Sequence, residues 1–167
     1  MDMVFNIIGA VGTIFAIMFS AVQLKKDREE RERKQASCVS CWVSDDVDKL
    51  NNNEPMSKYI EIANESGNPI YNVVVSIDAI EYGGIMAQNG EFSYIKYIPP
   101  GKYYVAAPFG GDGMFMEFSA SISFTDSNGL FWYRNAVGKL EKKKNDAVIE
   151  RKVPLPVCSK EIIKATE

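Results

Sequence analysis

The sequence contains no histidine among its 167 residues and only three cysteines. Histidine is the commonest general base and metal ligand in proteins, so its absence argues against most hydrolytic and metal-dependent mechanisms. Cys38, Cys41 and Cys158 are an odd number in a chain that is long enough to fold without disulfide bonds, which favours reduced thiols in a reducing compartment. We therefore expect no enzymatic activity and no cofactor.

An excess of basic residues is also missing, because the net charge is −3. A protein that binds duplex nucleic acid needs a basic face to displace counterions from the phosphates. The charge is unevenly distributed: residues 1–24 carry only Asp2, residues 25–35 carry six basic and four acidic side chains, and the remainder has a net charge of −4. Nucleic acid is therefore not an expected partner.

Residues 4–24 are 21 positions without a single charged side chain. At about 1.5 Å per residue, a helix of that length spans the roughly 30 Å hydrocarbon core of a bilayer. A cleaved signal peptide would need a basic segment ahead of the apolar run, and the chain begins Met-Asp-Met-Val. The sequence thus predicts one transmembrane helix, with the lipid bilayer as its first partner.

The segment after this run predicts the orientation of the helix. It contains the basic residues Lys25, Lys26, Arg28, Arg31, Arg33 and Lys34. Because lysine and arginine accumulate on the cytoplasmic side of membrane helices, we expect the N-terminus outside the cell and everything after residue 25 in the cytoplasm, at the inner membrane. Six opposite-charge pairs at i,i+4 spacing favour a continuation of the helix to about residue 36 as a charged stalk. The first predicted region is therefore 1–36.

Small residues recur at four-residue spacing within the predicted span, at Gly12, Ala16 and Ser20. Such a strip lets two helix backbones approach closely and can drive association in lipid. Small residues are also common in membrane helices generally. Self-association of the chain through this strip is one hypothesis.

From residue 37 the hydrophobic pattern changes to the alternation that is typical of strands. Strands are predicted at 37–44, 58–64, 70–80, 92–98, 103–107, 115–125 and 130–134, with a last strand at 139–142 or 148–153. The turn chemistry is strongest at 64–69 and 126–129, where asparagine, serine, glycine and proline combine. This spacing predicts an antiparallel immunoglobulin-like β-sandwich of about seven strands over 37–157, followed by a tail at 158–167, with a small β-barrel as the alternative.

Two of these strands have a clear apolar face. In 70–80 the alternation places Tyr71, Val73, Val75, Ile77 and Ala79 on one face. In 115–125 it does the same for Met116, Phe118, Ala120, Ile122 and Phe124. Both faces are expected to contribute to the core.

Three motifs superficially indicate metal or phosphate sites. Cys38 and Cys41 form a C-x-x-C pair, but on a strand side chains three apart point to opposite faces, so half-buried structural thiols are expected. The acidic run 45–54 lacks the glycine and the alternate oxygen ligands of a calcium loop, and is expected to be a solvated loop. The glycine-rich run 110–113 lacks the lysine of a phosphate-binding loop, and is expected to be a flexible connection. No metal site is predicted.

Trp132 and Arg134 are two apart on a predicted strand and therefore share a face. A guanidinium can stack on an indole there, which would stabilise the fold. The same pair is a candidate binding surface.

Two segments carry a resemblance to known proteins: residues 64–73, and residues 124–129 together with Trp132, Arg134, Gly138 and Leu140. They resemble small bacterial and phage single-pass membrane proteins, in which one N-terminal helix precedes an immunoglobulin-like domain. The resemblance spans most of the chain and implies a fold and a bacterial or phage origin. It implies no activity.

Two functions follow from these observations. The first is a membrane-tethered cytoplasmic binding or scaffold module that engages a protein partner through a strand edge or loops. The alternative is a membrane effector of an antiphage type, in which the β domain senses a ligand and the helices assemble in the bilayer.

Overall fold

The computed structural model describes residues 2–44, 57–81, 84–88, 92–109, 117–154 and 156–165. For residues 2–13, 57, 81 and 84–88 it describes the backbone alone. The chain divides into two compact units, Met1–Lys34 and Gln35–Glu167. The first unit is helical, and the second consists mainly of strands.

The helix α1 (Asp2–Ser37) includes both the predicted span and the charged stretch behind it. Within the stalk, Lys26 pairs with Glu30 at 4.0 Å and Arg28 with Glu32 at 3.0 Å, two of the predicted i,i+4 pairs. These exposed pairs contribute only about 0.2–0.5 kcal/mol each to the helix.

The described residues include no helix that is long and apolar enough to cross a membrane. The predicted span at 4–24 lies partly outside the residues whose side chains are described, which begin at Ile14 in this helix.

Ten strands lie in the described part of the second unit: β1 (Val39–Ser44), β2 (Ser57–Asn64), β3 (Ile70–Glu81), β4 (Gly84–Gln88), β5 (Ser93–Ile98), β6 (Gly101–Pro108), β7 (Glu117–Thr125), β8 (Phe131–Arg134), β9 (Leu140–Lys143) and β10 (Ile163–Lys164). One sheet has the order β1-β2-β6-β10. The other has the order β4-β3-β7-β8-β9, with β5 also paired to β3. Every pair is antiparallel.

One hydrophobic core joins the two sheets. The first sheet contributes Val39, Ile60, Ile62, Tyr103, Val105 and Ala107, and the second contributes Ile70, Val73, Val75, Ile77, Ile95, Ile98, Ala120, Ile122, Phe124 and Trp132. The prediction of an antiparallel β-sandwich behind an N-terminal helix is thus confirmed. Each fully buried aliphatic side chain contributes about 1.5–3 kcal/mol to folding, so this core is the main source of stability.

The turns at 64–69 and 126–129 have the predicted chemistry. Buried Asn64 donates to the carbonyl oxygens of Asn68 (2.8 Å) and Ile98 (3.3 Å) and accepts from Ser66, while Gly67 has a φ of +75°. At the second turn the Gly129 amide donates to the Asp126 carbonyl at 3.0 Å, and Gly129 has a φ of +77°. Both glycines occupy the left-handed region that other residues rarely adopt.

Val73, Val75 and Ile77 of β3 are buried in the core, as predicted. The prediction is wrong for Tyr71, which is 43% exposed. The cause is Asn72, whose φ of +48° interrupts the alternation, and the pairing with β7 shifts register between Tyr71 and Val74. A bulge of this kind moves the side chains that precede it to the opposite face of the sheet. On β7, Ala120, Ile122 and Phe124 are buried as predicted, Phe118 is half-buried, and Met116 lies outside the described residues.

The C-terminal region differs most from the prediction. The last predicted strand is found at β9, whereas the alternative at 148–153 is wrong because this stretch begins inside a short helix, α2 (Ala147–Glu150). The predicted tail contains β10, which pairs with β6 at Tyr103 and Tyr104. The short strand β4 was not predicted.

Candidate binding site

The segment that contains α2 is fixed to the outer face of the six-stranded sheet by one carboxylate. Asp146 is the N-cap of α2, and its Oδ1 accepts from the Val148 amide at 2.8 Å. Its Oδ2 accepts from Asn72 Nδ2 (2.8 Å) and Thr125 Oγ1 (3.2 Å). The hydroxyl of Tyr94 donates to Asn72 Oδ1 at 3.1 Å. The left-handed conformation of Asn72 thus serves to aim its amide at this cap.

Below this segment lies a line of buried polar side chains. Arg151 donates from Nη2 to Ser121 Oγ at 3.0 Å and from Nε to Ser123 Oγ at 3.3 Å. Ser121 Oγ lies 2.9 Å from Ser76 Oγ, and Ser76 donates to Asp78 Oδ1 at 3.1 Å. Ser76, Ser121 and Asp78 are each at most 1% exposed.

The direction of this chain follows from the number of protons. A serine hydroxyl has one proton to donate, and Ser76 uses its proton toward Asp78. Ser121 must therefore donate to Ser76 and accept from Arg151. The guanidinium and the buried carboxylate are thus linked through two hydroxyls, and within the described residues Asp78 Oδ2 has no hydrogen-bond partner. Buried polar atoms without a partner are rare and often lie near functional sites.

A small cavity of about 210 Å³ lies next to Arg151. It is lined by Ser123, Trp132, Tyr133, Lys143, Asn145, Ala147, Glu150 and Arg151. The Arg151 Cζ atom is 4.7 Å from the centre of the Tyr133 ring, and Lys143 Nζ is 5.1 Å from it. Two cations around one aromatic ring beside a concave surface are features of a binding pocket.

The carboxylates of Glu141 and Glu150 partly neutralise the positive charge at this pocket. Lys143 Nζ lies 3.1 Å from Glu141 Oε2, and Glu141 also pairs with Lys139 at 2.9 Å. The hydrogen bonds from Lys139 and Lys143 lower the pKa of the Glu141 carboxyl. Glu150 accepts from Asn145 Nδ2 at 3.2 Å. Arg151 forms no direct ion pair with any carboxylate of the described residues, and its link to Asp78 runs through Ser121 and Ser76.

A larger cavity of about 900 Å³ lies on the four-stranded sheet, next to the turn after β2. Its charged lining residues are Glu61, Glu65, Lys102 and Lys164, two of each sign. Because the two signs are balanced, the lining favours neither an anionic nor a cationic ligand. We therefore take the pocket at Arg151 as the candidate site.

The structure gives Trp132 and Arg134 different partners. Trp132 is 2% exposed, belongs to the core, and donates from Nε1 to Asp126 Oδ2 at 2.9 Å. Arg134 donates to four backbone carbonyls, those of Ala36 (3.3 Å), Ser37 (3.2 Å), Val39 (2.8 Å) and Gly138 (3.0 Å). Trp132 forms part of the pocket wall, and Arg134 binds the C-terminal end of α1.

The predicted association strip lies on the helical unit. Ala16 and Ser20 are exposed, and Ser20 Oγ donates to the Ala16 carbonyl oxygen at 2.8 Å within the helix. The side-chain environment of position 12 lies outside the described residues. The strip and the pocket thus belong to different units of the chain.

The cysteines occupy three different environments. Cys38 lies in the turn before β1 rather than in the strand, and both Cys38 and Cys158 are exposed. Cys41 is half-buried against the core, and burial raises its pKa from 9.0 to about 12. In the described part of the chain no three histidine, cysteine, aspartate or glutamate side chains come together as a metal site would need. The acidic run 45–54 and the glycine-rich run 110–113 lie outside the described residues.

Sequence reasoning missed the pocket. The sequence pattern that could have indicated the pocket is the alternation of Ser119, Ser121 and Ser123 with apolar residues along β7. This alternation predicts that the outer face of the strand is polar. A solvated face is the ordinary expectation for such a pattern. The sequence does not reveal that α2 and Arg151 cover it.

The chain was compared with known proteins at three levels. No protein-family model matches it, and no curated protein and no solved structure is significantly similar to it. A function for the chain must therefore be argued from its own residues.

Proposed function

We propose that this protein is a membrane-tethered binding module. Its N-terminal helix lies in the inner membrane with the N-terminus outside, and its β-sandwich binds a partner in the cytoplasm. The observation that carries the proposal is a set of large apolar side chains on α1, each 58–70% exposed: Ile14, Phe15, Ile17, Met18, Phe19, Val22 and Leu24.

These side chains cover roughly 220° of the helix circumference, since consecutive residues in an α-helix are about 100° apart. The remaining side holds the uncharged residues Ala16, Ser20 and Gln23. A helix with so wide an apolar face and no charge on its other side is normally buried in a large core or in a membrane. Residues 14–24 alone cover about 16 Å, and with residues 4–13 the uncharged run covers about 31 Å. That length matches the hydrocarbon core of a bilayer.

The basic flank supports the orientation. Six lysines and arginines follow the uncharged run within ten residues, and the residues before it include only Asp2 as a charged side chain. Acidic residues contribute little to this bias. The flank therefore favours the cytoplasm for the β unit.

The strand order supports a module of immunoglobulin type. In that fold the first, second and fifth strands share one sheet, and the third, sixth and seventh share the other. Here β1, β2 and β6 are neighbours in one sheet, while β3, β7 and β8 are neighbours in the other with β4 beside β3. Folds of this type serve many functions, so the arrangement favours binding without naming the partner.

Membrane extraction of the full-length chain tests the tether. We expect the wild type to stay with membranes at high pH, and replacement of Ile14 and Ile17 by glutamate to release it. Replacement of both by leucine is the matched control, since it keeps the apolar surface. Recovery of the wild type in the soluble fraction would contradict the proposal.

The thiols test the orientation. Cys38 and Cys158 are exposed in the β unit, so a membrane-impermeant maleimide should label them only after the cells are opened. Efficient labelling in intact cells would reverse the orientation.

The second candidate function is a membrane effector that assembles through α1. The strip of Gly12, Ala16 and Ser20 favours it, since the Ser20 hydroxyl is already satisfied within the helix and leaves a small, apolar contact surface. Expression of the full chain at high level should then arrest growth and collapse the membrane potential. The double substitution Gly12→Leu and Ala16→Leu should reverse both effects.

Healthy cells with either chain would argue against the effector. Recovery of one stoichiometric protein from native membranes would then support the binding module.

A further inference from the structure

The cavity of about 210 Å³ beside α2 has two cationic side chains in its lining, Lys143 and Arg151. One water occupies about 30 Å³ in the liquid, so the cavity is several times larger than a single water. It is walled by the Tyr133 ring and by Ala147, and it opens beside two cationic side chains. The size fits a small polar group rather than a peptide.

Most of the polar groups that line it are hydrogen-bond donors. Arg151 uses Nε and Nη2 on serine hydroxyls, and among the described residues its Nη1 has no partner. Lys143 has three protons on Nζ, of which one meets Glu141. Asn145 has two amide protons, of which one meets Glu150. Three side chains therefore retain donors, while Glu150 supplies the one carboxylate of the lining.

The way Arg151 is held supports an anionic ligand. Its guanidinium is fixed by two neutral hydroxyls and by the Tyr133 ring, so it is oriented without being neutralised by a direct ion pair. A partly buried charge that lacks a direct partner is unfavourable until an ion of opposite sign binds. Arginine and lysine together are the usual donors to phosphate oxygens.

We propose that this pocket binds a phosphate group, with Arg151 and Lys143 as its two cationic contacts. This deepens the proposed function by naming the ligand class of the binding module, and it rests on that proposal only for the biological use of the pocket. Phosphate binding itself does not require that α1 lies in a membrane.

The first experiment measures binding of inorganic phosphate to the full-length chain in detergent micelles. Titration calorimetry with phosphate, against chloride at equal ionic strength, should give saturable binding for the wild type. Lys143→Gln should weaken it roughly tenfold, the effect of one lost charge-assisted hydrogen bond. Lys144→Gln is the matched control, because Lys144 is exposed, adjacent in sequence and absent from the lining. It should bind like the wild type.

Arg151→Gln should abolish binding, but Arg151 also holds Ser121 and Ser123. A thermal melt of each variant therefore accompanies the titration. The Lys143→Gln result decides the proposal if Arg151→Gln fails to fold. Absence of saturable binding to the wild type, or equal losses for Lys143→Gln and Lys144→Gln, would overturn it.

The source of the phosphate is distinguished with lipid. Nanodiscs of phosphatidylcholine alone are compared with nanodiscs that also contain phosphatidate, each holding the full chain. A soluble ligand predicts that added phosphate binds equally in both. A headgroup ligand predicts that phosphatidate competes with added phosphate and that Lys143→Gln removes this competition. Failure of the membrane extraction test would leave the micelle result standing, so the two proposals can fail separately.

Discussion

Arg134 donates from Nη2 to the carbonyl oxygen of Ala36 at 3.3 Å, across 98 positions of sequence. The same nitrogen reaches the Ser37 carbonyl, and Nε reaches the Val39 carbonyl at 2.8 Å. The last carbonyls of a helix have no hydrogen-bond donor within the helix, and they form the negative end of the helix dipole. A guanidinium at this end supplies hydrogen-bond donors and a compensating positive charge. Arg134 thereby ties the end of α1 to the start of β1.

Replacement of Arg134 by alanine is expected to lower the free energy of unfolding by about 2–3 kcal/mol, since several backbone carbonyls lose a charged donor. Arg134→Lys should retain less than half of the stability that Arg134→Ala loses, because one ammonium cannot reproduce the forked donors of the guanidinium. Denaturant unfolding followed by tryptophan fluorescence measures this. Arg31→Ala, at an exposed position of α1, is the control and should change stability by less than about 0.5 kcal/mol. Equal effects of the two alanine variants would contradict the assignment.

A second prediction concerns the hairpin between β7 and β8. The Asp126 carboxylate is buried and accepts three N–H groups, from the backbone of Asn128 and Leu130 and from the indole of Trp132, each at 2.9 Å. Asp126→Ala leaves all three without an acceptor and is expected to cost about 3 kcal/mol. Asp126→Asn keeps one oxygen and should cost about half as much. Asn128→Ala is the control, since only the backbone of Asn128 contributes, and a large loss there would contradict the role of Asp126.

The strands could be predicted because their side chains follow a period of two and because strong turn residues separate them. Val73, Val75 and Ile77 on β3 were placed correctly by alternation alone. The hairpin at 126–129 was also predicted, since its glycine supplies the positive φ that the turn requires. Local chemistry determines these features.

The features that were missed depend on contacts between distant parts of the chain. Tyr71 faces solvent because Asn72 is held in a left-handed conformation by Tyr94 and Asp146, which lie 22 and 74 positions away. The helix α2 occupies part of 148–153, one of the two predicted positions of the last strand, because Asp146 caps it. In the sequence Arg151 looks like an ordinary surface arginine, and Arg134 was expected to stack on Trp132 rather than to bind the end of α1. Their roles appear only when the sheets bring their partners together.

A third prediction follows from the pKa of Cys41. Burial is the largest cause of its rise to about 12, with Arg134 and Arg151 opposing it and Asp78 adding to it. At pH 8.5 the Cys41 thiol should therefore stay neutral and react with iodoacetamide far more slowly than Cys38 or Cys158. Peptide mass spectrometry after timed alkylation gives the three rates. Equal rates at all three thiols in the folded protein would contradict the burial of Cys41.

The same shift predicts a change of stability with pH. The folded state favours the neutral thiol, so the unfolded state loses its proton first as the pH rises. The contribution of Cys41 is present in full below about pH 8.5 and is lost progressively as the pH approaches 12. Cys41→Ala should flatten this decline between pH 9 and 11, measured by urea unfolding. An unchanged decline in the variant would show that other groups cause it.

The last prediction concerns the link between Arg151 and Asp78 through Ser121 and Ser76. A buried carboxylate is stabilised by a cation even when hydroxyls lie between them, and it becomes costly once the cation is removed. Arg151→Gln should therefore destabilise the protein by about 2 kcal/mol. Asp78→Asn should change the wild type little, but it should recover about 1 kcal/mol in the Arg151→Gln background, since the uncompensated charge is then gone.

A double-mutant cycle with Asp78→Asn and Arg151→Gln, measured by urea unfolding, tests this coupling directly. The matched cycle pairs Asp78→Asn with Ser123→Ala, because Ser123 accepts from Arg151 Nε but lies outside the chain of hydroxyls that leads to Asp78. We expect coupling of about 1 kcal/mol in the first cycle and additivity within about 0.5 kcal/mol in the second. Ser121→Ala should reduce the coupling in the first cycle, because it removes the hydroxyl that joins Arg151 to Ser76. If the first cycle is additive as well, Arg151 is not the counter-ion of Asp78 and holds only the serines of β7.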